Sequence, residues 1–178
     1  MPLSYDPEIG AGLAAPFAAA GDEPLPAVGD VAARRKNVEG LQAAIHGLLS
    51  MPDDVKITDR EATEEDGATL LVRWYAKDGA APGPAVLYAH GGGMIVSNVP
   101  IYDGPVARYV AATGVPFLSV AYRYAPEFSA PTPVTDCYAG LRWLVAHAAE
   151  PGVDPARIAI MGDSGDGGVG GQPGDLRA

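Results

Sequence analysis

Three short apolar runs constrain the folding of this chain more than anything else in it. "PAVLYAH" (84–90), "PFLSVAY" (116–122) and "RIAIM" (157–161) carry almost no polar residue over the length of a strand. A strand reads this way when both of its faces are buried, the condition of a parallel sheet covered by helices. Helical patterns fill the intervals. One lies near 101–113 and stops at Gly114; another lies near 133–149, with Val134, Tyr138, Leu141, Leu144 and Val145 on one face. Strand, helix, strand, helix, strand with short connections predicts an α/β domain with right-handed crossovers.

The flanks read differently. "VKITDREAT" alternates, and "ATLLVRWYAK" follows across the acidic turn "EEDG", which predicts an antiparallel hairpin at one edge of the sheet. Residues 1–50 read as two helices broken by "GDEPLP". The stretch "AGLAAPFAAAG" (11–21) has the length of a signal core, but Asp6 and Glu8 precede it and no Lys or Arg does. An amphipathic helix is the expectation there. After Gly165, "DGGVGGQPGDLRA" admits no helical period. The chain thus divides into a helical segment (1–50), a core (51–166) and a disordered Gly/Pro-rich tail (167–178).

Ligands of such sheets bind at the carboxyl ends of the strands, and two glycine-rich stretches fall there: "HGGG" after the first apolar run and "GDSG" after the third. Several ligand classes drop out. With 12 Lys and Arg against 22 Asp and Glu the net charge is −10, so there is no basic patch for nucleic acid. One cysteine, Cys137, allows no internal disulfide or cysteine-based metal spacing, and a reducing, cytoplasmic setting is the default. No run approaches the ~18 apolar residues of a membrane span. No Gly-Lys-Ser/Thr follows the glycines, which argues against a phosphate loop. Gly165-x-Gly167-x-x-Gly170 spells a dinucleotide fingerprint, but without the helix and distant acid that it requires.

Acyl chemistry remains. Successive glycines at a strand end let backbone N–H groups approach a ligand, and such donors can hold an oxyanion. Gly162-Asp163-Ser164-Gly165-Asp166 matches the nucleophile elbow G-x-S-x-G except at its last position, Asp166. A nucleophilic serine needs a base within hydrogen-bond reach. His46 and His147, the histidines outside HGGG, fall on predicted helices, where surface or helix-end roles are expected. Trp74, Trp143 and the tyrosines read as packing residues.

"HGGG", then "AYRYAPE" (121–127), then "GDSG", in this order, resembles the hormone-sensitive-lipase-like carboxylesterases of the α/β-hydrolase fold, over about residues 3–165. The resemblance implies a nucleophile at Ser164 and oxyanion donors at Gly92, Gly93 and Gly165. His90 would orient that loop. Gly91, Gly162 and Asp163 complete the motifs, and Arg123 and Glu127 would brace the structure beneath the site. It further implies a cap that includes the N-terminal helices, a small short-chain ester as substrate, and neither metal nor cofactor. In the family the triad acid and histidine follow the serine, and nothing after Gly165 matches that part. The expectation is therefore an α/β-hydrolase fold truncated after the nucleophile strand, with little activity. Its sheet would have five strands in the order 1-2-4-3-5. The "RIAIM" strand would form an exposed edge through which copies self-associate. The alternative is a non-catalytic remnant or binding module.

Overall fold

The computed structural model describes residues 6–20, 26–48 and 50–165. Asp166, the tail expected over 167–178 and most of the dinucleotide-like pattern lie outside the described residues. The elements run α1 (Pro7–Ala20), α2 (Val31–Gly47), β1 (Val55–Thr63), β2 (Thr69–Lys77), β3 (Gly83–Ala89), a 3-10 turn (Pro100–Tyr102), α3 (Asp103–Thr113), β4 (Phe117–Val120), α4 (Thr132–Ala146) and β5 (Val153–Gly162). The sheet order is β1-β2-β4-β3-β5, the order that the family resemblance implies.

The hairpin closes through local chemistry. Gly67 sits at φ +86, and the Asp66 carboxylate accepts from the Ala68 amide at 2.9 Å, as turn residues of these types do. Val55 to Thr63 then pair antiparallel with Lys77 to Thr69. β4 pairs antiparallel with β2, whereas β3 runs parallel to both β4 and β5. Both helix–sheet crossovers expected from the apolar runs are present.

Alternate side chains of these strands feed two cores. On one face Val72, Leu87, Leu118 and Val120 pack with Cys137 and Leu144 of α4, with Ile158 and Ile160 of β5 against them. On the other, Tyr75, Tyr88 and Phe117 pack with Val106 and Val110 of α3, with Met161 of β5 beside them. The central strands β3 and β4 are therefore apolar on both sides, which is what the uninterrupted runs encode.

Three boundaries differ from expectation. β5 begins at Val153, upstream of the apolar run, because Gly83 pairs with Val153 across an irregularity before Ala85 meets Ile158. Pro155 is tolerated inside it because it falls in this irregular stretch, where no residue of β3 is its partner and a missing N–H breaks no ladder bond; β5 is also an edge strand among the described residues. α4 ends at Ala146, and the chain turns so that the Val153 amide bonds the Ala148 carbonyl at 2.7 Å. β4 ends at Val120, which frees Tyr122 for a loop role.

Gly140 of α4 tests this packing. A Cβ there would fall 2.4 Å from Val120 Cγ2, in a fully buried layer. Gly→Ala gains about 1 kcal/mol of helix propensity, but overpacking costs about 1–3 kcal/mol, and at this separation the clash dominates. Gly140→Ala is expected to lower the urea midpoint, and adding Val120→Ala to cost less than the two changes summed. An unchanged or raised midpoint for Gly140→Ala would contradict the close approach of α4 to β4.

Candidate active site

The site is created by a register. Ala89 and Gly162, the last residues of β3 and β5, are partners across the parallel ladder. The loops that leave them, His90-Gly91-Gly92-Gly93 and Asp163-Ser164-Gly165, are thereby forced together. Ser164 lies at φ +58, a left-handed backbone that costs a non-glycine residue on the order of 1–3 kcal/mol. Ser164 and Gly165 are exposed. A Cβ built on Gly165 would stand 3.6 Å from the Cα of Gly93, so the two turns lie side by side with about the width of a methyl group between them.

The glycines of the first loop do different work. At Gly91 a Cβ would fall 2.6 Å from the Tyr102 hydroxyl and 3.3 Å from the Asp163 carbonyl oxygen, so this position sets how closely the loops approach. Gly92 has φ +144, and a Cβ would lie 2.0 Å from the Val96 carbonyl oxygen, a position no other residue could occupy without moving the backbone. Around Gly93 the space is open.

His90 is buried, stacked on Tyr122 with ring centroids 4.5 Å apart. Its Nδ1 faces the Gly91 carbonyl at 3.1 Å, and its own carbonyl accepts from the Tyr122 hydroxyl at 2.7 Å. Burial pushes the imidazole down from 6.5 to about 4. The ring is neutral at ordinary pH and shapes the loop without serving as a base. Asp163 accepts from the Tyr88 hydroxyl at 2.7 Å, which fixes the residue before Ser164. Burial and this carboxylate hold the Tyr88 phenol well above its usual range. The tyrosines are thus more than packing residues. Those at 88, 122 and 124 each place a hydroxyl on one of the two site loops, Tyr124 on the Ser97 carbonyl at 2.7 Å.

Arg123 and Glu127 fasten the 121–127 segment in opposite directions. Arg123 forks onto the fully buried Asp136 of α4 at 2.9 and 2.7 Å and reaches Asp66 at 2.8 Å. Glu127 receives both terminal nitrogens of Arg35 at 2.7 Å each, and this guanidinium pulls its carboxyl down to about 2. Arg35 is a residue that sequence reasoning missed. From α2 it also donates to the Ile95 carbonyl at 2.7 Å and the Ala125 carbonyl at 2.9 Å. Glu39, one turn on, accepts from the Ser97 amide at 3.0 Å. Their four-residue spacing on one helix, which brings them side by side, was the available signal.

His46 and His147 are engaged elsewhere. His46 Nδ1 faces the Ile101 carbonyl at 2.8 Å and its ring meets Tyr102 edge-on; it docks α2 where a surface role was expected. His147 stacks on Trp143 and bonds that residue's carbonyl at the end of α4. Among the described residues no group of three His, Cys, Asp or Glu could hold a metal ion, and no helix is long and apolar enough to cross a membrane.

Residues 86–170 match a protein family described as having the alpha/beta hydrolase fold. The ethyl acetate hydrolase of Pseudomonas putida is 39% identical over 133 residues, which are 73% of this chain and 41% of that enzyme. A bacterial heroin esterase superposes with a TM-score of 0.81 at 34% identity, over 94% of this chain and 51% of its own. A hyperthermophilic esterase from the archaeon Pyrobaculum calidifontis gives 0.83 at 29% identity, over 99% and 54%. The chain thus spans about half the length of the proteins it matches.

His90 makes the domain sensitive to mild acid. Its folded value of about 4 lies below the ordinary 6.5, so between those limits the unfolded chain binds the extra proton and stability falls as pH falls. The full loss is about 3 kcal/mol, from 1.36 kcal/mol per unit. Exposed Glu127 acts in a lower window, with a small contribution present above 4.5 and lost as pH drops through about 2. Urea midpoints are expected to decline from pH 6.5 to 4, with the His90 ring still neutral at pH 5 by NMR. A flat profile over that range, or a His90 charged at pH 6, would contradict its burial.

Proposed function

We propose, since the chain belongs to the hormone-sensitive-lipase-like carboxylesterases of the α/β-hydrolase fold, that it carries the nucleophile half of a serine ester hydrolase. The observation that supports this most is the close approach of the Gly93 turn to the Gly165 turn, set by the pairing of Ala89 with Gly162, with Ser164 held left-handed beside it. Ser164 Oγ attacks the carbonyl carbon of a small, short-chain ester. The N–H groups of Gly92, Gly93 and Gly165 take the charge that develops on its oxygen. The tetrahedral intermediate expels the alcohol, and water then cleaves the acyl-serine to release the acid. The chemistry calls for no metal or organic cofactor.

A base must accept the serine proton and a third group must orient that base. His46, His90 and His147 each turn Nδ1 to a backbone carbonyl, of Ile101, Gly91 and Trp143, and in this family the acid and the histidine follow the serine; we assign the base to a histidine other than these three. Helices α1 and α2 form part of the cap. A cytoplasmic setting fits the single buried Cys137. Copies of this chain associate through β5, whose outer edge carries no partner strand among the described residues.

Alone, the chain is expected to hydrolyse p-nitrophenyl butyrate at background rate, with Ser164→Ala changing little. A chimera that continues residues 1–165 into the C-terminal half of the Pseudomonas putida ethyl acetate hydrolase is expected to gain hydrolysis and fluorophosphonate labelling, both abolished by Ser164→Ala. A folded chimera that is inert, or active without Ser164, would sink the proposal and favour a non-catalytic binding module.

Association is read by sedimentation velocity. The weight-average mass of the chain is expected to rise with concentration, and less so for Ala159→Lys on the exposed edge. A monomer at all concentrations would refute it.

A further inference from the structure

We propose that Arg35 and Glu39 of α2 are positioning residues that hold the oxyanion loop in shape. The loop after β3 is an improbable piece of backbone. Gly92 (φ +144), Gly93 (+59), Met94 (+58) and Ser97 (+80) all lie at positive φ within six residues, and two of them are not glycine. Such a segment persists only where its surroundings over-determine it. Its own hydrogen bonds are few: the Ile95 and Val96 amides both reach the Gly92 carbonyl, at 3.2 and 3.1 Å.

The other ties come from outside. The Met94 carbonyl accepts from the Ala125 amide at 3.0 Å, and the Ser97 carbonyl from the Tyr124 hydroxyl at 2.7 Å. The Ile95 carbonyl accepts from Arg35 Nε at 2.7 Å, and the Ser97 amide donates to Glu39 Oε1 at 3.0 Å. One wall is thus the 121–127 segment and the other is α2. Arg35 joins the two walls, because its Nη2 also donates to the Ala125 carbonyl and its fork holds Glu127.

Two further facts make this a clamp and not an incidental surface pair. No residue of α2 is fully buried, and Val38 and Leu41 are only half-buried, so directed polar contacts do much to set how the helix sits on the body. Ser97 is wholly buried, so without Glu39 its amide would be a buried donor with no partner, the expensive case. Arg35 and Glu127 are 24% and 51% exposed, and an ion pair in such a setting contributes little by charge alone. The contribution is direction: a planar fork that spans Ile95, Ala125 and Glu127 at once, which lysine cannot reproduce. The catalytic meaning of the clamp rests on the ester-hydrolase reading; its geometry does not.

The test is amide hydrogen exchange on the whole 178-residue chain, read residue by residue. Arg35→Gln, Arg35→Lys and Glu39→Ala are each expected to speed exchange at Ile95, Val96 and Ser97 at least tenfold, with Leu87 and Leu118 in the central strands unchanged. Glu39→Gln keeps an acceptor oxygen and is expected to restore protection. A role in general stability would raise exchange in the strands as well, and a role of charge alone would leave Glu39→Gln no better than Glu39→Ala. Loop protection that ignores Arg35→Gln and Glu39→Ala, or fails to return in Glu39→Gln, overturns the proposal. Because exchange needs no turnover, an inert chimera would count against the hydrolase reading and leave the clamp standing.

Discussion

The parallel pairing of β3 with β5 is the constraint on which the rest of the site depends. It brings Ala89 and Gly162 to the same level, so two loops that are far apart in sequence leave the sheet side by side. Everything else preserves that meeting. Glycine at 91 lets the backbones close, while His90 and Asp163 are each pinned by a tyrosine hydroxyl. A slip of one residue in this register would turn every side chain of β5 to the wrong face. It would also pull Ser164 away from the glycines, so fold and site share one specification.

The two helical layers reinforce the meeting from either side. On the α3 side, Asp103 accepts from Arg73 at 3.1 and 2.9 Å and from the Tyr75 hydroxyl at 2.7 Å. This fixes the start of α3 to the middle of β2. Tyr102, the residue before it, is thereby held against Gly91. On the α4 side, buried Asp136 binds both the Arg123 fork and the Arg123 amide. A buried carboxylate is tolerated when it is so fully paired. These polar ties fix the loops and helix starts around the site to the strands and helices beneath them.

The elements and their order were legible in the sequence because each leaves a periodic trace. The hairpin alternates, the parallel strands do not, and the helices end at recognisable breakers. The serine and glycine motifs were legible because few residues can occupy left-handed turns. What escaped reading was long-range and polar. Nothing local marks Arg35 as the partner of Glu127, or Tyr88 as the partner of Asp163, since such bonds depend on which loops the fold juxtaposes. The upstream start of β5 was obscured because "GVDPAR" carries a proline and charges that only an edge strand accepts. The sequence motif singled out Ser164, but the contacts that hold its neighbour loop lay on a helix whose apolar pattern was weak.

Pro155 has a geometric corollary. It removes one donor from the outer rim of β5, so a recruited strand can build an uninterrupted ladder only from about Ile158 onward. That stretch finishes at Gly162, immediately before Asp163 and Ser164. A newcomer that runs parallel to β5 would therefore release its own following loop beside the serine. The lattice of the sheet acts as an address: whatever polypeptide zips onto this seam has its next turn delivered to the flank of Ser164.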